Sequence, residues 1–248
     1  MRPKFLFLLL ICFSALCVFA QSNANFDKLY AYKGTINKKI PITLSLATKD
    51  SMVCGEIVYT KINDHIRLRG TIHQGNVLVY EFDKKGTITG IIYLKLSENA
   101  TNIKGTWTKP TTSDPLDIEL SKQTVQAKNE WLPTDSKIGG TYEYSYSTNG
   151  YQGALTIKSM KDSVEYNCQG ITSAPAHNIA SADGYAALKG RVAICNNSED
   201  SSTHCVFSIR FIWDIALINY VNNQSDCDFG HNATVEGVYL KTSNLIKD

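Results

Sequence analysis

The sequence predicts an all-β protein: two tandem small antiparallel β-barrel-like domains behind a cleaved signal peptide. Three observations predict it. Short runs of alternating apolar and polar residues, separated by turn residues, recur at about the 8–12-residue spacing of sandwiches and barrels. Almost no segment carries a helical apolar period. The second half also echoes the first in order. Gly34-Thr35 returns as Gly140-Thr141, LSLATKDSMVCG at 44–55 as LTIKSMKDSVEYNCQG at 155–170, and KGTWTK at 104–109 as EGVYLK at 236–241. Such ordered echoes suggest a tandem duplication of one β-unit.

The chain opens MRPKFLFLLLICFSALCVFA. Arg2 and Lys4 make a basic start, Phe5 to Phe19 an apolar run, and Val18-Phe19-Ala20 a small-residue cleavage site. Residues 1–20 therefore read as a secretory signal peptide. The apolar run is too short to span a bilayer comfortably. No later stretch is continuously apolar, so no membrane span is expected. The mature protein is expected to be exported, periplasmic or secreted.

The first domain, 26–121, is expected to hold strands near 29–36, 41–47, 52–60, 65–73, 76–83, 87–96, 102–108 and 116–121. Turn chemistry joins them, as in Asn37-Lys38-Lys39, Lys49-Asp50-Ser51 and Gln74-Gly75. Consecutive strands joined by tight turns suit an up-and-down closed barrel, which leaves no unpaired edge. Residues 122–138 lack alternation, contain Pro133 and read as a linker. The second domain, 139–245, is expected to hold strands near 140–148, 151–159, 163–171, 185–194, 204–213, 215–221 and 233–241, with insertions at 172–184 and 196–203. In 204–213, Cys205, Phe207, Ile209, Phe211 and Trp213 share one face, as strand side chains alternate. Such bulk on one face predicts a filled barrel interior.

The chain has 25 Lys and Arg against 23 Asp and Glu. The two surplus bases, Arg2 and Lys4, lie in the leader, so the mature chain is balanced. That argues against nucleic acid as a partner, which calls for a basic footprint. Five of the 7 cysteines lie beyond the leader: Cys54, Cys168, Cys195, Cys205 and Cys227. An oxidising compartment favours disulfides among the last four, which allow three pairings. The favoured set is Cys205–Cys227 with Cys168–Cys195, leaving Cys54 as a buried free thiol.

Enzyme motifs are missing. The chain has no Gly-x-Ser-x-Gly, no His-Glu-x-x-His, no phosphate-binding glycine loop and no EF-hand loop. Glu56 and Glu81 are acids that a glycosidase pair would need, but nothing in the sequence brings them together. His204, Cys205, Cys227 and His231 lack strong zinc spacing. No metal, no cofactor and no enzymatic activity are expected. Four acceptor triplets, at Asn99, Asn196, Asn223 and Asn232, matter only in a glycosylating host.

One strand face stands out as a candidate binding surface. His65, Arg67, Arg69, Thr71 and His73 alternate on one side of 65–73. Arginines two apart make a cationic ladder suited to carboxylate, phosphate or an acidic protein patch. The competing reading is a solvated outer barrel wall. Tyr30, Tyr32, Tyr142, Tyr144, Tyr146 and Tyr151 gather at the two domain starts, where they serve either as contacts or simply as good strand formers.

The tail from Cys205, CVFSIRF followed by SDCDFGHNATVEGVYLK up to Lys241, resembles a pattern of small bacterial exported proteins similar to periplasmic lysozyme inhibitors. The resemblance covers this C-terminal part only, and Asp228 stands where the pattern expects glycine. It implies a Cys205–Cys227 disulfide and an envelope or inhibitor-like role. The expected function is non-enzymatic binding at or outside the cell envelope, with a lysozyme-like hydrolase as the concrete partner. The alternative is a lipocalin- or avidin-like carrier, a calycin-type barrel holding a small apolar ligand inside.

Overall fold

The computed structural model describes residues 26–97, 99–124, 137–198, 205–221 and 227–245. The expected leader, most of the 122–138 linker, and His204 lie outside them. Among the described residues, sixteen strands form two closed antiparallel barrels. The first contains β1 (Lys28–Ile36), β2 (Ile40–Lys49), β3 (Met52–Tyr59), β4 (Asp64–His73), β5 (Asn76–Phe82), β6 (Ile88–Lys95), β7 (Asn102–Thr108) and β8 (Leu116–Lys122). The second contains β9 (Gly140–Ser145), β10 (Gln152–Ser159), β11 (Ser163–Ile171), β12 (Ile179–Lys189), β13 (Val192–Asn196), β14 (Val206–Ile212), β15 (Ile215–Tyr220) and β16 (Gly237–Ser243). Each strand pairs with the next, and β8 returns to β1 as β16 returns to β9. The fold class is the one the sequence predicts. No helix among the described residues is long and apolar enough to cross a membrane.

Two details differ from the sequence reading. The expected strand 185–194 is instead the hairpin of β12 and β13, folded at Gly190 with φ +63°. Half of the expected insertion 172–184 is thus strand. Its residues, IASADGYAALK, are small and poor in β-formers, so propensity hid them. Tertiary space selects them: Ala180, Ala182 and Ala186 are buried in the core that Tyr166 and Phe207 fill. The Lys-Asp-Ser turns do fall on equivalent hairpins, β2–β3 and β10–β11. The KGTWTK and EGVYLK echo does not, because it lies on the seventh strand of one barrel and the eighth of the other.

Both interiors are filled. Tyr32, Ile42, Leu44, Leu46, Ile57, Leu68 and Ile92 belong to the first core. Tyr142, Leu155, Ile157, Phe207, Ile209 and Tyr239 belong to the second. Each such side chain contributes about 1.5–3 kcal/mol by leaving water.

The barrels also share a core. Met52, Cys54 and Ala47 point outward from the first barrel yet are fully buried, covered by Ile212, Trp213, Ile215, Leu217 and Val238. The expected interior position of Trp213 is therefore corrected: it caps the β14–β15 hairpin and stacks on Phe26, centroids 5.4 Å apart. Next to it, Asp214 accepts Arg69 Nε at 2.6 Å and Nη2 at 2.8 Å, a bidentate ion pair between the barrels. A second hairpin docks in the opposite sense. The β5–β6 turn is shaped by Asp83, whose Oδ1 accepts the Lys85 and Thr87 amides. Its Gly86 carbonyl accepts the Ser145 amide at 3.2 Å, and Phe82 and Ile88 enter the second core.

One disulfide is present among the described residues, Cys205–Cys227. The expected Cys168–Cys195 pairing is not: both are free and buried, as is Cys54. Strand β12 lies between their strands. Two inter-strand spacings are about 10 Å, beyond the roughly 4.4–6.8 Å that disulfide Cα atoms span. Burial pushes each of these three thiols up to about 12, so none is a ready nucleophile.

Candidate functional site

Between the two docked hairpins lies a cleft of about 380 Å³. Its first wall carries Thr71 of β4, Tyr80 of β5 and Ile88 of β6. Its second carries Tyr144 of β9, Tyr146, Tyr151, Leu217 and Asn219 of β15, and the 234–238 segment. Alternation along β5 turns Val77, Val79 and Glu81 inward, so Tyr80 must face the partner barrel. Tyr144 reaches its place because Gly153, opposite it in register, has no side chain. A Cβ there would lie 2.2 Å from Tyr144 Cε1.

The rings meet at right angles. Tyr80 and Tyr146 have centroids 6.2 Å apart and planes at 86°. Tyr146 and Tyr144 are 5.9 Å apart at 85°. Burial, with neighbouring tyrosines adding to it, pushes the Tyr144 phenol up to about 12 and raises Tyr146, and burial raises Tyr80 against the opposing hydrogen bond with Tyr146. All three are therefore neutral hydroxyls near pH 7, able both to donate and to accept.

The polar rim comes from the stapled tail. Cys227 is tied to Cys205, and the Gly230 amide bonds Ile179 O at 3.0 Å. Asn178 Nδ2 holds His231 O at 2.8 Å. The chain turns at Asn232, φ +59°, and runs to the cleft. There Thr234 Oγ1 shares a hydrogen bond with Tyr220 Oη at 3.0 Å and accepts the Glu236 amide at 3.0 Å. Thr234 and Glu236 are thus placed by the hydrogen bonds of Thr234, at the end of a segment whose start the disulfide ties to Cys205, just before β14.

The predicted cationic ladder is not one free surface. His65 and His73 are exposed, whereas Arg69 is 2% exposed and committed to Asp214. Arg69 Nη1 also donates to Leu68 O at 2.8 Å. Arg67 is half-buried and donates to Asp83 O at 3.0 Å. His65 Nδ1 lies 3.1 Å from Glu56. Alternation placed these side chains outside the barrel correctly, but β14–β15 covers the middle of the face. Thr71 alone of that row lines the cleft.

Glu56 and Glu81 lie on opposite sides of the barrel wall, so they cannot flank one bond. Glu81 is buried in the first barrel, where Tyr59 Oη and Trp107 Nε1 donate to its Oε1 at 2.7 and 2.9 Å. Burial raises its carboxyl above the ordinary 4.5, outweighing the donors Tyr59, Trp107 and Thr89. The folded state therefore binds the proton more readily than the unfolded one. Its contribution is most favourable below the unfolded value and is lost as pH rises through the folded value. Glu81→Gln is expected to be more stable than the wild type at neutral pH, with the difference shrinking well below pH 4.5. Urea unfolding at acidic and neutral pH measures it; a gap that widens on acidification would contradict the assignment.

Among the described residues, no group of three or more His, Cys, Asp and Glu is placed to hold a metal ion. His177 lies exposed on the 172–178 loop. No family model, no curated protein and no solved structure matches this chain, so the functional reading rests on geometry.

Proposed function

We propose that this is an exported, non-enzymatic binding protein that holds its ligand in the tyrosine-lined cleft between its barrels. The observation that carries the reading is the cleft itself: concave, about 380 Å³, lined by aromatic and aliphatic side chains mixed with convergent polar groups. Ligand sites commonly have that character and favour domain junctions. Filled interiors weigh against a carrier that keeps an apolar ligand inside a barrel. A hydrolase-inhibitor role is the protein-partner form of the proposal, and it draws on the tail resemblance.

Native mass spectrometry of protein purified gently from its own host tests the proposal. Retained mass that falls away on denaturation, and is lost in Tyr146→Ala, is the expected result. Equal retention by Tyr146→Ala would place the ligand elsewhere. A clean apo mass, followed by lysozyme inhibition that Tyr146→Ala abolishes, would make the occupant a protein segment.

A further inference from the structure

We infer that the cleft selects a small organic ammonium ion, its alkylated nitrogen seated against Tyr80, Tyr144 and Tyr146 with Glu236 as the counter-charge. The inference rests on the cleft being the ligand site, and adds the ligand's chemical class. Three observations lead to it.

The first is ring geometry. Tyr146 stands at 86° to Tyr80 and 85° to Tyr144, so the rings form a corner, not a flat platform. Ring faces carry the negative end of the aromatic quadrupole. All three rings line the cleft, and a ring face turned toward it attracts a cation, the contact used for quaternary ammonium ligands. A flat platform would instead suit a sugar ring.

The second is charge. The lining has one acid, Glu236, and no Lys, Arg or His. The phenols add no charge of their own, and Thr71, Thr234 and Asn219 are neutral. An anionic ligand would find hydroxyl donors but no opposite charge in the lining, whereas a cation finds the carboxyl and the aromatic rings. Glu236 is exposed at the rim and belongs to the segment that Thr234 and the disulfide hold in place.

The third is size. About 380 Å³ lies near the lower end of small-molecule sites and suits a compact ammonium compound.

The experiment is a calorimetric titration of the whole mature protein with choline and with its neutral carbon isostere, in which a tert-butyl group replaces trimethylammonium. Shape is constant between the two, so the ratio reports charge. Choline is expected to bind about ten-fold more tightly. Glu236→Gln is expected to lower choline affinity several-fold and to leave the isostere unchanged. As Glu236 is exposed, this variant should fold normally. Equal affinity for both compounds overturns the inference while keeping the cleft as an apolar site. Binding of neither overturns it too, and the native mass spectrum then decides whether the cleft reading also falls. A lysine peptide that binds through the cleft more tightly than choline would assign the site to a basic protein segment, against the inference.

Discussion

Arg69→Met is expected to cost about 3–5 kcal/mol of unfolding free energy, the range for breaking a buried ion pair from one side. Arg69 is 2% exposed, and its guanidinium grips both oxygens of Asp214 across the barrel junction. Removing it leaves a carboxylate in a site built for a cation. Asp214→Asn is expected to be similarly costly, because Arg69 then has only neutral acceptors for its charge, one amide oxygen beside the Gly55 and Leu68 carbonyls. Arg69→Met with Asp214→Leu is expected to recover most of the loss, since an apolar pair restores neither charge nor desolvation cost. Urea denaturation of the three variants measures this cycle. Single losses under about 1 kcal/mol would mean the pair behaves like an exposed one.

Trp213→Ala is expected to cost about 3–5 kcal/mol, the range for truncating a buried aromatic side chain. It should also separate unfolding into two transitions, one per barrel. Trp213 is 1% exposed and packs among Met52, Cys54, Ile212 and Leu217 with Phe26 stacked on it. It sits at φ +53°, where a bulky residue is strained, so packing must hold it there. That strain supplies a control. Trp213→Gly removes the same contacts but suits the left-handed backbone. It is expected to be more stable than Trp213→Ala by about 1 kcal/mol. Differential scanning calorimetry reads both effects. A single sharp transition in Trp213→Ala would show that the remaining contacts, the Arg69–Asp214 pair and the β5–β6 hairpin among them, suffice to couple the barrels.

Much of the strand content was legible because alternation is a local property. Leu44, Leu46, Phe207 and Ile209 declare their inward face from spacing alone. The first half of the 179–189 strand, 179–184, was not legible, because alanines and serines there answer to the size of residues on other strands. The Cys168–Cys195 pairing failed for a related reason: spacing along the chain does not reveal that β12 lies between them. Tyr144, Tyr146 and Tyr151 were visible as a cluster, but Tyr80, Asn219 and Glu236 join them only across both barrels.

The sequence by itself determined the all-β class, the barrel-forming succession of hairpins and the outward side of the Arg67–Arg69 row. Each follows from nearest-neighbour turn chemistry and a period of two. Tertiary structure alone decided that Arg69 is buried, that Trp213 packs between the barrels, and that four tyrosines and one acid meet in a cleft. Those outcomes depend on which outer faces press together, a contact between residues far apart in the chain that no local pattern encodes.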